Sequence, residues 1–153
     1  MRIKKVSETT PVQAQIVDGY SESTTDGYSA NYINQYTQDT GWLEPTMESG
    51  FTTGALSSSG NLMYKRIGKE VYIKGSVKGF TATSQACCQL PSGYRPATRI
   101  DCSLGTGGNY FARGMISSGG NITLLGDTRT SLSADNWYSI CTSYITDDDF
   151  PSS

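Results

Sequence analysis

From Gly50 onward, apolar and polar positions alternate along the chain with a period of two. Val71, Ile73 and Val77 fall on one face of a segment whose other face carries Tyr72, Lys74, Ser76 and Lys78. That is the pattern of a strand with one face in a core and one in water. Leu62 to Ile67 reads as the preceding strand, and Gly68-Lys69 suits a tight hairpin turn between the two. Ala86, Cys88 and Leu90 alternate again, as do Ile100, Cys102 and Leu104. Tyr110 to Ile116 and Ile122 to Leu125 form a further pair across Ser117–Asn121, and Tyr138 to Ile145 is the last strand. Strands and turn signals recur at roughly 8–12 residues, the spacing of a sandwich or barrel. No helical pattern interrupts them, which argues against strand–helix–strand units.

The pattern before Gly50 differs. Residues 1–22 read as an extended arm with weak alternation. Ser23-Thr24-Thr25-Asp26 matches a helix-starting capping box, and Tyr28, Tyr32 and Tyr36 then recur every fourth residue, with Ala30 and Ile33 beside them. That spacing predicts a helical stem within residues 23–40 and an apolar stripe along one face. Asp39-Thr40-Gly41 and Pro45 end it, and Trp42 to Thr46 is the expected junction. A helix of about 14 residues is marginal alone in water. Its stripe of Tyr28, Tyr32, Ile33 and Tyr36 needs a partner, either the chain's own β domain or the same helix from other copies. Residues 45–146 are then a β head, and the acidic 147–153 is expected to be a frayed, solvated tail. The fold class expected is all-β, an antiparallel sandwich or jelly-roll-like head on a short N-terminal helical stem.

Composition narrows the chemistry. The 153 residues carry 17 Gly, only 17% charged residues and a net charge of −2. The only basic cluster is Arg2, Lys4 and Lys5, so nucleic acid is not an expected partner. There is no histidine, which removes histidine bases, histidine zinc ligands and histidine-activated nucleophiles. The four cysteines, Cys87, Cys88, Cys102 and Cys141, form no C-x-x-C pair, so no zinc site is expected. They read as small buried hydrophobes, with one cross-strand disulfide as an alternative. Adjacent Cys87 and Cys88 should point to opposite faces of a strand. No secretory leader is seen at Met1–Thr10, and no run approaches the roughly 18 apolar residues of a membrane span. Neither membrane insertion nor classical export is expected.

The other candidate motifs have plainer readings. The glycine-rich Gly105–Gly108 and Ser118–Gly120 lack the helix start and lysine of a phosphate loop, and read as hairpin turns. Asp147–Asp149 lack the spaced ligands of a calcium loop. Glycoside hydrolysis survives the missing histidines, but nothing pairs Glu70, Asp101, Asp127 or Asp135 as it requires. The chain is therefore not expected to be an enzyme, and no cofactor or metal is expected. The 10 Tyr and 2 Trp are the surplus. Rings with polar tips suit wet interfaces and stacking on sugars. Asn109, Tyr110, Arg113, Asn136 and Trp137, at turn–strand junctions, are the candidate binding residues. The plain alternative is that Trp137 and Tyr138 fill the core. Asn121-Ile122-Thr123 matches a glycosylation sequon and is read as chance.

Two runs carry a resemblance to a known family. Met63-Tyr64-Lys65-Arg66-Ile67-Gly68-Lys69-Glu70-Val71-Tyr72-Ile73-Lys74-Gly75 and Leu90-Pro91-Ser92-Gly93-Tyr94-Arg95-Pro96 resemble strand–turn–strand and turn motifs of C-terminal domains in tail and baseplate proteins from phages and prophages of Gram-positive bacteria. Asn121–Leu124 and Trp137-Tyr138 fit the strands that close such domains, and Asp26–Asn34 is similar to the segment that joins them to a longer tail protein. The resemblance covers roughly residues 8–146. It implies a virion protein at the tail tip or baseplate, made in the bacterial cytoplasm, homotrimeric and attached to an upstream tail component. It implies recognition of host cell-surface saccharide, and favours the stem packing against its own copies. No catalytic residue of the family has a counterpart here. A structural cap or adaptor without its own ligand is the alternative, and a polysaccharide-cleaving tail enzyme the second.

Overall fold

The computed structural model of the protein describes residues 37–54, 60–106, 110–128 and 132–151. The chain divides into two compact units, Met1–Gln38 and Asp39–Ser153. The arm and the stem residues Tyr28, Tyr32, Ile33 and Tyr36 lie outside the described residues.

The second unit is all-β, as the alternation requires. Its strands are β1 (Thr52–Thr53), β2 (Met63–Ile67), β3 (Glu70–Lys78), β4 (Ala86–Gln89), β5 (Ile100–Thr106), β6 (Phe111–Ile116), β7 (Asn121–Asp127) and β8 (Tyr138–Ile145). Every strand pair is antiparallel. Hydrogen bonding runs through one curled sheet in the order β1-β3-β8-β5-β6-β7-β4, with β2 also on β3. The expected strands therefore belong to a single sheet rather than to two separately bonded layers.

The two edges of that sheet are brought together by the segment Asp39–Glu48. On one side, Thr40 N–H donates to the Arg66 carbonyl at 3.0 Å, and Leu43 and Tyr64 exchange backbone bonds at 2.8 and 2.9 Å. On the other, Glu48 N–H donates to the Cys87 carbonyl on β4 at 2.9 Å. One segment thus covers the exposed edges of both β2 and β4, where unpaired backbone would otherwise face water or another chain. Trp42 to Thr46, expected as a junction, is part of the β unit.

Alternation along β3 places Val71, Ile73 and Val77 inside. They meet Leu62, Leu104, Ile116, Leu124, Tyr138, Ile140 and Tyr144 from the other strands. Rings fill the middle: Phe80 stands edge-on to both Phe51 (4.9 Å) and Tyr138 (5.4 Å), a favourable geometry for aromatic pairs. The β2–β3 hairpin turns at Gly68-Lys69, with Gly68 at φ +55°, the conformation two-residue hairpins assign to glycine at the first central position. At Gly75 (φ +122°) β3 exchanges its partner β2 for β1, and a Cβ there would run into the Asn61 backbone. Glycine is required at that position.

Three sequence expectations are corrected. Cys87 and Cys88 do not face opposite ways. The register of β4 against β7 slips between Ala86 and Cys88, and this bulge turns both thiols inward, fully buried, with sulfurs 3.9 Å apart. All four cysteines are free thiols, and Cys141 is exposed rather than buried. The acidic tail is not frayed. The Asp148 carboxylate accepts from the Gly93 and Arg95 amides at 2.8 and 3.3 Å, and Pro151 packs against Gly93. An acidic run looks solvated by composition, but here one carboxylate caps backbone N–H groups of a turn, and Arg66 donates to the carbonyls of Asp148 and Asp149.

Candidate functional site

The two runs that carry the resemblance meet in space, and they do so at a structural hub. Arg66 projects inward from β2 and is 3% exposed. Its guanidinium donates to the carbonyls of Gly68 (2.6 Å), Gly93 (2.6 Å), Asp149 (2.9 Å) and Asp148 (3.0 Å). The Phe150 ring lies 5.0 Å from it. One side chain therefore fastens the β2–β3 turn, the Leu90–Pro96 turn and the tail together. Around it, Tyr64 stands edge-on to Tyr94 at 4.8 Å. Tyr144 donates to the Tyr94 carbonyl at 2.6 Å, and Thr146 to the Arg95 carbonyl at 2.5 Å. Burial pushes the phenols of both Tyr64 and Tyr144 upward. The side chains of Arg66, Tyr144 and Thr146 are thus committed to backbone groups of the fold.

The residues expected to bind lie elsewhere. Asn109 is outside the described residues. Tyr110 is exposed just before β6, and Thr106 donates to its carbonyl at 2.6 Å. Thr106 also pairs with Tyr138 across β5 and β8. Tyr110 and Trp137 thus flank the same end of β5 from opposite sides. Trp137 is half-buried, with the Lys78 ammonium 5.2 Å from its ring. Asn136 is half-buried beside it, its N–H given to the Ser133 carbonyl. Tyr138 is wholly buried with its hydroxyl on Asp127 at 2.6 Å, so the core-filling alternative holds for Tyr138. Arg113 is set apart, on the outer face of β6, bonded to Asp101 at 3.2 Å. Asp101 also accepts from Arg99 at 2.6 Å; Arg99 first, then Arg113, holds its carboxyl below the usual range. The four acids considered for hydrolysis have separate partners: Glu70 with Tyr72, Asp101 with the arginines, Asp127 with Tyr138, Asp135 with Lys78.

The outer face of the sheet holds a feature the sequence did not single out. β5 and β8 pair only at Gly105↔Ser139 and Thr106↔Tyr138, whereas β3 and β8 pair along their whole length. Where β5 and β8 part, a hollow of ≈420 Å³ opens, lined by Lys74, Gly75, Ser103, Gly105, Ser139, Ile140 and Cys141. A second depression of ≈380 Å³ adjoins Ser103 and takes in Phe111, Arg113 and Thr128. Phe111, directly opposite Gly105, is 74% exposed. At the other rim Lys74 lies 4.1 Å from the Trp42 ring centre, and Lys65 5.2 Å from it. Lys65 is bridged to Asp39 at 3.5 Å. The alternation of β3 did put Tyr72 and Lys74 on the polar face. Trp42 was hidden because it precedes the strands and reaches this face only through the edge-covering segment.

The architecture is that of a single-sheet antiparallel β domain. Neither a family model nor a curated protein sequence matches the chain. Among solved structures it is similar to the crystal structure of the receptor binding protein (gp15) of Listeria phage PSA. The two are 17% identical, with a TM-score of 0.55 over 75% of this chain and 69% of that one. A likeness at that identity is one of fold.

Proposed function

We propose that this protein is a phage receptor-binding protein, carried at the tail tip or baseplate, that attaches the virion to saccharide on the host surface. The observation that carries this reading is the fold shared with a phage receptor binding protein across three-quarters of the chain. The sequence motifs, which resemble the same group of phage proteins, support it independently of that likeness. Exposed rings at one end of the sheet and over its outer face, Tyr110, Phe111 and Trp42, suit stacking on sugars. In this reading the protein binds and does not catalyse. It is a homotrimer held by the stem stripe Tyr28, Tyr32, Ile33 and Tyr36, and it is joined to an upstream tail component. Asn109, Tyr110, Arg113, Asn136 and Trp137 contribute to recognition.

Incubating the labelled full chain with envelopes from bacteria of the phage's host range tests it. Saturable binding that soluble wall saccharide competes away is the expected result. No binding to any envelope fraction would sink the receptor reading and leave the structural adaptor. Light scattering checks the trimer: a monomer at micromolar concentration removes the stem's purpose.

A further inference from the structure

We propose that Cys87 and Cys88 are a redox modification site: a low-molecular-weight disulfide oxidises the pair to a bridge between the two neighbours, and this loosens the seam where the edge-covering segment meets β4. Two adjacent cysteines in a regular strand are held apart on opposite faces. The bulge between Ala86 and Cys88 removes that obstacle, and the two buried sulfurs meet at 3.9 Å. Cys102, half-buried on β5, and Cys141, exposed on β8, stand on other strands. Among the described residues no three of His, Cys, Asp and Glu gather, so the two thiols lack the further donors of a closed metal site.

The reaction balances as two exchanges. One thiol, ionised once water reaches it, attacks the small disulfide, forms a mixed disulfide and releases one small thiol. The second protein thiolate attacks the protein sulfur of that mixed disulfide and releases the other small thiol. The pair gives up two electrons and two protons, and the small disulfide takes up both as two thiols. In the closed fold the hydrogen bond to Cys88, then burial, pushes the Cys87 thiol upward, so the pair is unreactive until the edge opens.

The seam supplies that access. Among the described residues, Asp39–Glu48 holds β2 by three backbone bonds and β4 by one, from Glu48 N–H to the Cys87 carbonyl at 2.9 Å. Met47 pairs with Cys88 and packs, partly buried, against the core there. The less tightly held end of the segment thus lies directly on the thiol pair, and such ends open locally while the rest of a sheet stays folded. Oxidation acts back on the seam through one peptide. The new ring closes through the Cys87–Cys88 peptide, whose Cα atoms are about 3.8 Å apart, below the roughly 4.4–6.8 Å of ordinary disulfides. The sulfurs must also close from 3.9 Å to about 2.05 Å. Closing the ring turns that peptide and carries the Cys87 carbonyl away from Glu48 N–H. A bridge strained in this way is easily reduced again, as labile and regulatory disulfides are. A virion protein, as proposed above, passes from a reducing cytosol to an oxidising medium, which is the change the pair registers.

The experiment equilibrates the reduced full chain with glutathione disulfide and glutathione over a range of ratios. Remaining thiols are blocked with maleimide in denaturant, and the peptide carrying both cysteines is examined by mass spectrometry. Expected is a peptide that has lost two hydrogens and has neither thiol blocked, restored by dithiothreitol. The urea-unfolded chain, which has no bulge, should give mixed disulfides instead. Hydrogen exchange at the Glu48 amide should be roughly five- to tenfold faster in the oxidised chain, the effect of losing one hydrogen bond, while the amides of β3 and β8 keep their protection. Met47→Ala uncovers the pair and should speed oxidation several-fold.

Two blocked thiols at every ratio, or mixed disulfides in place of the bridge in the folded chain, overturns the site. A bridge that leaves Glu48 exchange unchanged overturns its action on the seam, and oxidation no faster in Met47→Ala overturns entry through it. A pair that stays reduced in a chain that binds host envelopes leaves the receptor reading standing.

Discussion

Replacing Arg66 with methionine isolates what the buried guanidinium does, because methionine keeps much of the aliphatic stem and removes every donor. Four carbonyls, those of Gly68, Gly93, Asp148 and Asp149, lose their partner at once. A hydrogen bond to a charged group contributes roughly 1.5–3 kcal/mol, and a buried carbonyl left bare costs about 1–3 kcal/mol. The four do not add in full. The two tail carbonyls can peel away into water once released, and the charge itself no longer has to be buried. The bonds to Gly68 and Gly93 join two turns of the folded core and have no such escape. Counting those two fully and the tail pair weakly, Arg66→Met should cost about 3–5 kcal/mol.

Equilibrium urea unfolding of the full chain measures it. With a slope of about 1–3 kcal/mol/M for a domain of this size, the midpoint should fall by at least ~1 M. Arg66→Lys keeps a charge but not the planar fork, and should lose about half as much. Arg113→Met, exposed on β6, should fall within about 0.5 kcal/mol of the parent. A second readout is local. Proteolysis after Ile145 should accelerate in Arg66→Met under conditions where the sheet stays folded, because the tail loses two of its bonds. A loss below about 1 kcal/mol with an unchanged cleavage rate would refute the hub.

Gly75→Ala should destabilise by about 2–4 kcal/mol, as seen by thermal unfolding, because its φ of +122° and the adjacent Asn61 backbone leave no place for a Cβ. Stability should decline as pH rises above about 10, where tyrosines of an unfolded chain ionise. The buried Tyr64 and Tyr144 keep their protons to higher pH, so the folded state binds more protons than the unfolded one in that window and the slope of stability with pH is negative. Urea midpoints across that range check it, and Tyr144→Phe should give a shallower decline. In the proposed trimer, Ile33→Asp should give monomers by light scattering while far-UV circular dichroism keeps its β signal; a trimer that survives the change places the contact elsewhere.

The β class was legible because the strands of a one-sided sheet write their burial directly into alternation. β2, β3, β6, β7 and β8 fall where the period-two pattern and the glycine turns put them. What alternation cannot encode is a slip of register. Alternation puts Cys87 and Cys88 on opposite faces, and only the bulge against β7 explains why both are inside. The docked tail was missed for a related reason. Asp147–Asp149 are solvated by composition, and nothing local tells that Gly93 and Arg95, more than fifty residues earlier, offer amides to one of them. Of the expected binding residues, Tyr110 and Trp137 come to the same end of β5, but Arg113 belongs to the outer face. The opening between β5 and β8 was illegible because it depends on where two strands stop pairing, which no single-strand pattern contains.

The placement of the recognisable motifs bears on where function can lie. Tyr64, Arg66, Gly68, Gly93, Tyr94 and Arg95, within the two runs by which the chain resembles phage tail proteins, gather at the hub around Arg66, whereas Lys74 of the first run is exposed on β3. A resemblance in such residues specifies how the sheet is turned and tied, so it speaks to architecture before it speaks to ligand. If the protein is the receptor-binding protein proposed above, its specificity comes from side chains outside the hub. On this sheet those are the outward positions of β3, β5, β6 and β8, together with Trp42 on the edge-covering segment. Lys74, Ser103, Arg113 and Ser139 can be exchanged without touching a hub hydrogen bond, which makes the outer face the surface on which one such fold could change its target while keeping its frame.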